Sequence, residues 1–143
     1  MKFIRQSLAA GIFAALSTIP ALAQDTSYGE REYMASCASC HGPEAKGQGN
    51  FAEFLNADPP DLTQLAKNNG GKFPFNKIYG IIDGREEMTV HGSGYMPIWG
   101  SRYNAEVTEQ FDPFGARPNE AMVERIVRGR ILELLFFLAS IQE

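Results

Sequence analysis

Along the chain, apolar positions recur at helical spacing, and no alternating run marks a β-strand. Ser27 to His41 fits a helix ended by Gly42-Pro43, with Gly29 and Tyr33 four residues apart on one side and Tyr28, Glu32 and Ala35 on another. Residues 42–50 are rich in glycine and polar side chains and read as a loop, and Phe51 to Asn56 fits a single helical turn. Asp58-Pro59-Pro60-Asp61 is stiff and extended, since each proline fixes its own φ and restricts the residue before it. Leu62 to Asn68 predicts a short helix capped by Asp61 or Thr63 and stopped by Asn69-Gly70-Gly71. Phe75, Ile78, Tyr79 and Ile82 predict a second, from Phe75 to Asp83, ended at Gly84. Glycines and prolines dominate residues 84–118, which read as mostly loop. Pro118 to Gln142 is the strongest helix, with Val123, Ile126, Val127, Ile131, Leu134, Leu135 and Leu138 forming an amphipathic stripe. Gly129 inside it costs about 1 kcal/mol relative to alanine, so a kink or a close backbone contact is expected there. The predicted fold class is all-α.

The N-terminus changes which residues belong to that fold. Lys2 and Arg5 precede an apolar run from Leu8 to Ile19, followed by Pro20 and the small-x-small triplet Ala21-Leu22-Ala23. This pattern predicts an export signal, residues 1–23, cleaved before Gln24, with residues 24–143 as one domain. The alternative is an uncleaved anchor, but the run is short against the roughly 20 residues of a bilayer span and no stop-transfer charge cluster follows. No other segment is long and apolar enough to span a membrane, so no stable insertion is expected after cleavage. There is no internal repeat, low-complexity tract or interdomain linker.

Of 13 basic and 17 acidic side chains, Lys2 and Arg5 would leave with the signal, giving 11 against 17 and a formal charge of −6. Such a balance disfavours nucleic acid, because nothing offsets phosphate repulsion. Lys67, Lys72, Lys77 and Arg85 could form a local basic patch, with solvated loop charges as the plainer reading.

The only two cysteines fall in Cys37-Ala38-Ser39-Cys40-His41. Two thiols on one helical turn can add across the two vinyl groups of a haem, and the histidine that follows then reaches one axial face of the iron. Two rivals stand beside this. A redox-active CxxC is natural in an exported protein, although no strand precedes the motif as a thioredoxin-like site would require. A zinc site would use Cys37, Cys40, His41 and His91, although structural zinc ligands usually come as two spaced pairs. A chain this rich in loops needs something to fold around, which a haem provides. For the second axial position the candidates are Met34, Met88, Met96, Met122 and His91. Met96 stands out in Gly92-Ser93-Gly94-Tyr95-Met96-Pro97, where glycines allow close approach to a flat ligand and Pro97 stiffens the backbone.

Gly29, Tyr33 and Cys37-Ala38-Ser39-Cys40-His41, with Pro60-Asp61-Leu62 and the terminal Leu134, Phe137 and Leu138, resemble the class I cytochromes c over most of the domain. Pro59-Pro60-Asp61-Leu62-Thr63, Ile82-Asp83-Gly84-Arg85 and Met96-Pro97-Ile98-Trp99-Gly100 are similar to a bacterial periplasmic subset. The resemblance implies short helices and loops wrapped around one covalent haem c, with the N- and C-terminal helices crossing where Gly29 gives room. It implies haem attachment through Cys37 and Cys40 and iron ligation by His41 and Met96, with Met88 and His91 as the rival distal ligands. The Pro60 carbonyl would accept the Nδ1–H of His41, with Leu62 beside it. Trp99, Tyr95 and Arg85 are candidate neighbours of the haem edge or propionates. Two features depart from the pattern: Phe137 stands where tyrosine is frequent, and the connection from Ser101 to Pro118, carrying Tyr103, Phe111 and Phe114, is long. Those aromatics could cover the haem edge or build a partner surface, and the plainest expectation is that they tuck the loop down.

The implied function is one-electron transfer in the bacterial periplasm, not enzymatic catalysis, with redox proteins such as a respiratory complex, oxidase or dehydrogenase as partners. The alternatives are a cytochrome subunit of a larger dehydrogenase or oxidase, and a haem sensor or peroxidase-like protein with an open distal site.

Overall fold

The computed structural model describes residues 25–84, 96–111 and 118–143. The predicted signal peptide, Arg85, Met88, His91, Tyr95 and Phe114 lie outside them. Among the described residues the regular structure is wholly helical: α1 (Ser27–Ser36), α2 (Ala38–His41), α3 (Phe75–Asp83), α4 (Trp99–Phe111) and α5 (Glu120–Ser140). Single 3₁₀ turns occur at Ala52–Phe54, Leu62–Gln64 and Lys67–Asn69.

The helix expected from Ser27 to His41 is interrupted at Cys37, where φ of −117° opens the turn between α1 and α2. The predicted Leu62–Asn68 helix is two 3₁₀ turns, the first capped by Asp61, whose carboxylate accepts from the Thr63 backbone N–H at 2.8 Å and its hydroxyl at 2.6 Å. The Thr63 bonds hold the Asp61 pKa below its usual value. α3 ends, as its sequence predicts, at Gly84 in the left-handed conformation.

The largest departure is α4. Residues 99–111 form a helix where loop was expected, burying Trp99, Tyr103 and Val107. These three and the partly buried Phe111 follow one another at four-residue intervals, so a single narrow apolar seam faces inward. Tyr103 and Phe111 are therefore held on a helix, not on a tucked loop.

α5 begins at Asn119, whose side chain accepts from the Met122 backbone N–H at 2.8 Å. Its stripe lies in the core: Val123, Val127, Ile131, Leu134, Leu135 and Leu138 are buried and Ile126 partly so. Each large aliphatic side chain removed from water contributes about 1.5–3 kcal/mol. α5 packs against α1, α3 and α4, so it is the post around which the other helices are set. α1 meets it at Gly29, where a Cβ would run into the Glu133 carbonyl and Phe137. Gly129, by contrast, has nothing near the place of a Cβ and the helix runs on through it, so the close contact expected there is not made. Past the helix, the Gln142 amide bonds the Leu62 carbonyl at 2.8 Å and the Ala66 N–H at 2.7 Å, fastening the C-terminus to the segment after Pro60. No helix among the described residues is long and apolar enough to cross a membrane.

Candidate functional site

α1 sets the Cys37–His41 motif by two contacts on its buried side. Tyr33, fully buried, lies against Phe137 of α5 with ring centroids 5.3 Å apart. Its hydroxyl donates to the Gly42 carbonyl at 2.6 Å, so the bond spans the motif. Burial raises the Tyr33 pKa well above its ordinary value. Phenylalanine at 137 gives up nothing here, because only its ring is used.

After His41 the chain doubles back. The Gly47 N–H bonds the His41 carbonyl at 2.8 Å and the Leu62 N–H bonds that of Ala45 at 2.7 Å. Gly47 has φ of +81° and lies against the Pro59 carbonyl where a Cβ would fall, so only glycine lets the two backbones approach. This brings the Pro60 carbonyl oxygen to 3.3 Å from His41 Nδ1. An Nδ1–H donated there leaves Nε2 as the basic nitrogen of the ring.

Two adjoining hollows, of about 560 and 570 Å³, share Cys37, His41, Pro60 and Met96. The first is completed by Cys40, Ser36, Leu55 and Trp99, the second by Leu62, Ile78, Ile82 and Leu134 among others. Cys37, Cys40, His41, Pro60, Leu62 and Met96, separated by up to 59 positions in sequence, thus converge on one cleft. Of the described methionines, Met34 is half-exposed on α1 and Met122 sits on α5, and Met96 alone lines the hollows. Trp99 also lines the cleft. Leu55 was not anticipated, having no periodic partner in sequence, and Ile78 and Ile82 were legible as an inward stripe without a destination.

The chemistry of the cleft favours a large apolar group. Its walls are mostly hydrocarbon, with His41, Ser36, Tyr33, Trp99 and the two thiols as the side chains that carry polar atoms. Burial, then the nearby Glu32 carboxylate and Cys40, push the Cys37 thiol up to about 12. A thiol-disulfide catalyst needs an accessible cysteine of lowered pKa, whereas Cys37 is buried and its pKa is raised. Among the described residues no three His, Cys, Asp or Glu side chains converge on a metal-sized point, while His91 of the zinc alternative lies outside them. The residues present therefore fit a haem.

Residues 24–110 match the family described as cytochrome C oxidase, cbb3-type, subunit III. No curated protein and no solved structure matches the chain. The match covers more than half of the sequence, and the chain belongs to this family. It has the cytochrome c fold, and its domain is that of a haem protein of electron transfer with haem c bound covalently.

Proposed function

We propose that this member of the cbb3-type cytochrome family is an exported carrier of single electrons, holding one haem c through Cys37 and Cys40 with His41 and Met96 as axial ligands. The observation that carries the reading is the convergence of Met96 with the Cys37–His41 motif on one apolar cleft. Bound there, the haem supplies a one-electron Fe(II)/Fe(III) couple.

The protein's residues do the rest. Cys37 and Cys40 would tether the haem through their thiols. Pro60 accepts the Nδ1–H of His41, fixing the ring and raising the basicity of the ligating nitrogen. Met96 would offer a soft sulfur, a ligand type that favours the reduced metal. The hydrocarbon walls exclude water and lower the local dielectric, which keeps the charge change from reorganising solvent.

The partners are redox proteins. The family's description supports a second reading in which the chain is a cytochrome subunit of an oxidase complex, chemically the same carrier with a fixed partner. Export is supported by the leader pattern before Gln24.

The test is a visible spectrum of the holoprotein purified from periplasm. The reduced protein is expected to be low-spin and not to bind carbon monoxide, and the oxidised protein to show the band diagnostic of Fe–S(Met). Met96→Ala should lose that band and keep the covalent haem. Unchanged ligation in this variant would move the distal ligand to Met88 or His91, and carbon monoxide binding by the wild type would favour the open-site sensor. Co-purification with an oxidase would select the subunit reading over the free shuttle.

A further inference from the structure

α4 begins three residues after Met96, and beside its buried apolar seam it is tied by a guanidinium on α5. Arg130 Nη1 bonds Glu106 of α4 at 2.9 Å. Its Nε and Nη2 grip the Glu32 carboxylate of α1 at 3.0–3.2 Å. Its Cζ lies 3.9 Å over the ring of Tyr103, a fully buried residue on α4. Arg130 and Glu32 are themselves mostly buried, with side-chain exposures of 26% and 16%. In such surroundings a forked, hydrogen-bonded pair is geometrically demanding, and removing one partner leaves the other charge uncompensated.

Both arms of this clamp run to the cleft. On the α1 side, Ser36 donates to the same Glu32 carboxylate at 2.8 Å, and Ser36 lines the cleft next to Cys37. On the α4 side, Tyr103 lies against Trp99 with ring centroids 5.7 Å apart, and Trp99 lines the cleft three residues beyond Met96. Arg102 adds a lock on that arm, stacking 5.0 Å from the Trp99 ring while its Nε bonds Glu106 at 3.3 Å. One side chain that does not itself line the cleft thereby fastens the helix leading into the Cys37–His41 motif to the helix that follows Met96.

We infer that Arg130 is a positioning residue for Met96: by fixing α4 against α1 it holds the methionine in register with the His41 side of the cleft. This inference rests on the reading of Met96 as the distal ligand. His41 is tied separately, through Pro60 and the Tyr33–Gly42 bond. Loss of Arg130 should therefore loosen the distal ligand and spare the proximal one.

The experiment measures displacement of the distal ligand from the oxidised holoprotein by added imidazole, followed in the visible spectrum, together with the reduction potential. Arg130→Met should bind imidazole about tenfold more tightly than wild type, within the range by which residues touching neither ligand modulate a site. The covalent haem should persist and the potential should fall. Arg130→Lys, which keeps the charge and loses the fork, should fall between the two. Leu135→Ala, a core truncation on α5 away from the cleft lining, serves as the stability control and should leave imidazole affinity near wild type. An equal gain in Leu135→Ala and Arg130→Met, or none in the latter, would overturn the inference. Should Arg130→Met fail to fold, Glu106→Gln weakens only the α4 arm, and wild-type imidazole affinity there would overturn it as well. If Met96→Ala keeps the Fe–S(Met) band, the ligand reading itself falls. If that band is lost and the Arg130 and Glu106 variants behave as wild type, only the role of Arg130 falls.

Discussion

The Tyr33 hydroxyl and the Gly42 carbonyl are joined by a 2.6 Å hydrogen bond that closes over both cysteines and His41. A helix-borne side chain thus fixes where the motif ends. The bond is buried, so its acceptor has no water to turn to when the donor is removed. Tyr33→Phe is expected to cost about 1–2 kcal/mol, measured by urea unfolding of the holoprotein, with the ring contact to Phe137 kept. A cost within error of zero would mean that the Gly42 carbonyl is solvated.

Two glycines make opposite predictions under the same substitution. At Gly29 a methyl group would strike the Glu133 carbonyl, part of the α5 backbone that cannot move aside. Gly29→Ala should destabilise by about 1–3 kcal/mol, as overpacking does. At Gly129 nothing lies near the added carbon, so Gly129→Ala should stabilise the helix by about 0.5–1 kcal/mol. Thermal unfolding of the two variants beside wild type tests the pair, and a common sign would contradict the packing described.

Tyr103 carries a pH prediction. Its hydroxyl is buried and makes no hydrogen bond of ordinary geometry. Burial first, and then the Glu32 carboxylate, raise its pKa in the folded protein above the ordinary value of 10.0. The folded state therefore keeps this proton at pH values where the unfolded chain has lost it. Stability is fully present below pH 10 and falls as pH rises toward the raised value, by up to about 1.4 kcal/mol per pH unit for one group. Tyr103→Phe should be near-neutral at pH 7 and less sensitive than wild type above pH 10, read as denaturation midpoints at both. An identical alkaline slope in the variant would assign the loss to other groups, with Tyr33 the first to examine.

These variants divide along the line between what is local in the chain and what is not. The Gly29–Tyr33 spacing, the Gly84 stop and the α5 stripe are short-range patterns, and each folds as its spacing indicates. α4 was hidden because its seam of Trp99, Tyr103, Val107 and Phe111 is one residue wide and lies between proline- and glycine-rich stretches. The four-residue interval and the Arg102–Glu106 pair were the available signals. The Arg130 clamp had none, since Glu32 and Glu106 lie 98 and 24 residues from it and pair only in the folded protein. The expected contact at Gly129 failed for the converse reason: a glycine's identity does not say what faces it.

The meeting of Gly29 with Glu133 also sets an order of assembly. The two positions are 104 residues apart, so the buried side of α1 has no partner until nearly the whole chain has been synthesised. Contacts of such separation form late and slowly compared with local ones. The motif at the end of α1 is therefore presented on an unfinished, open chain before α5 arrives to close it, and a chain cut short of residue 133 would keep Tyr33 in water.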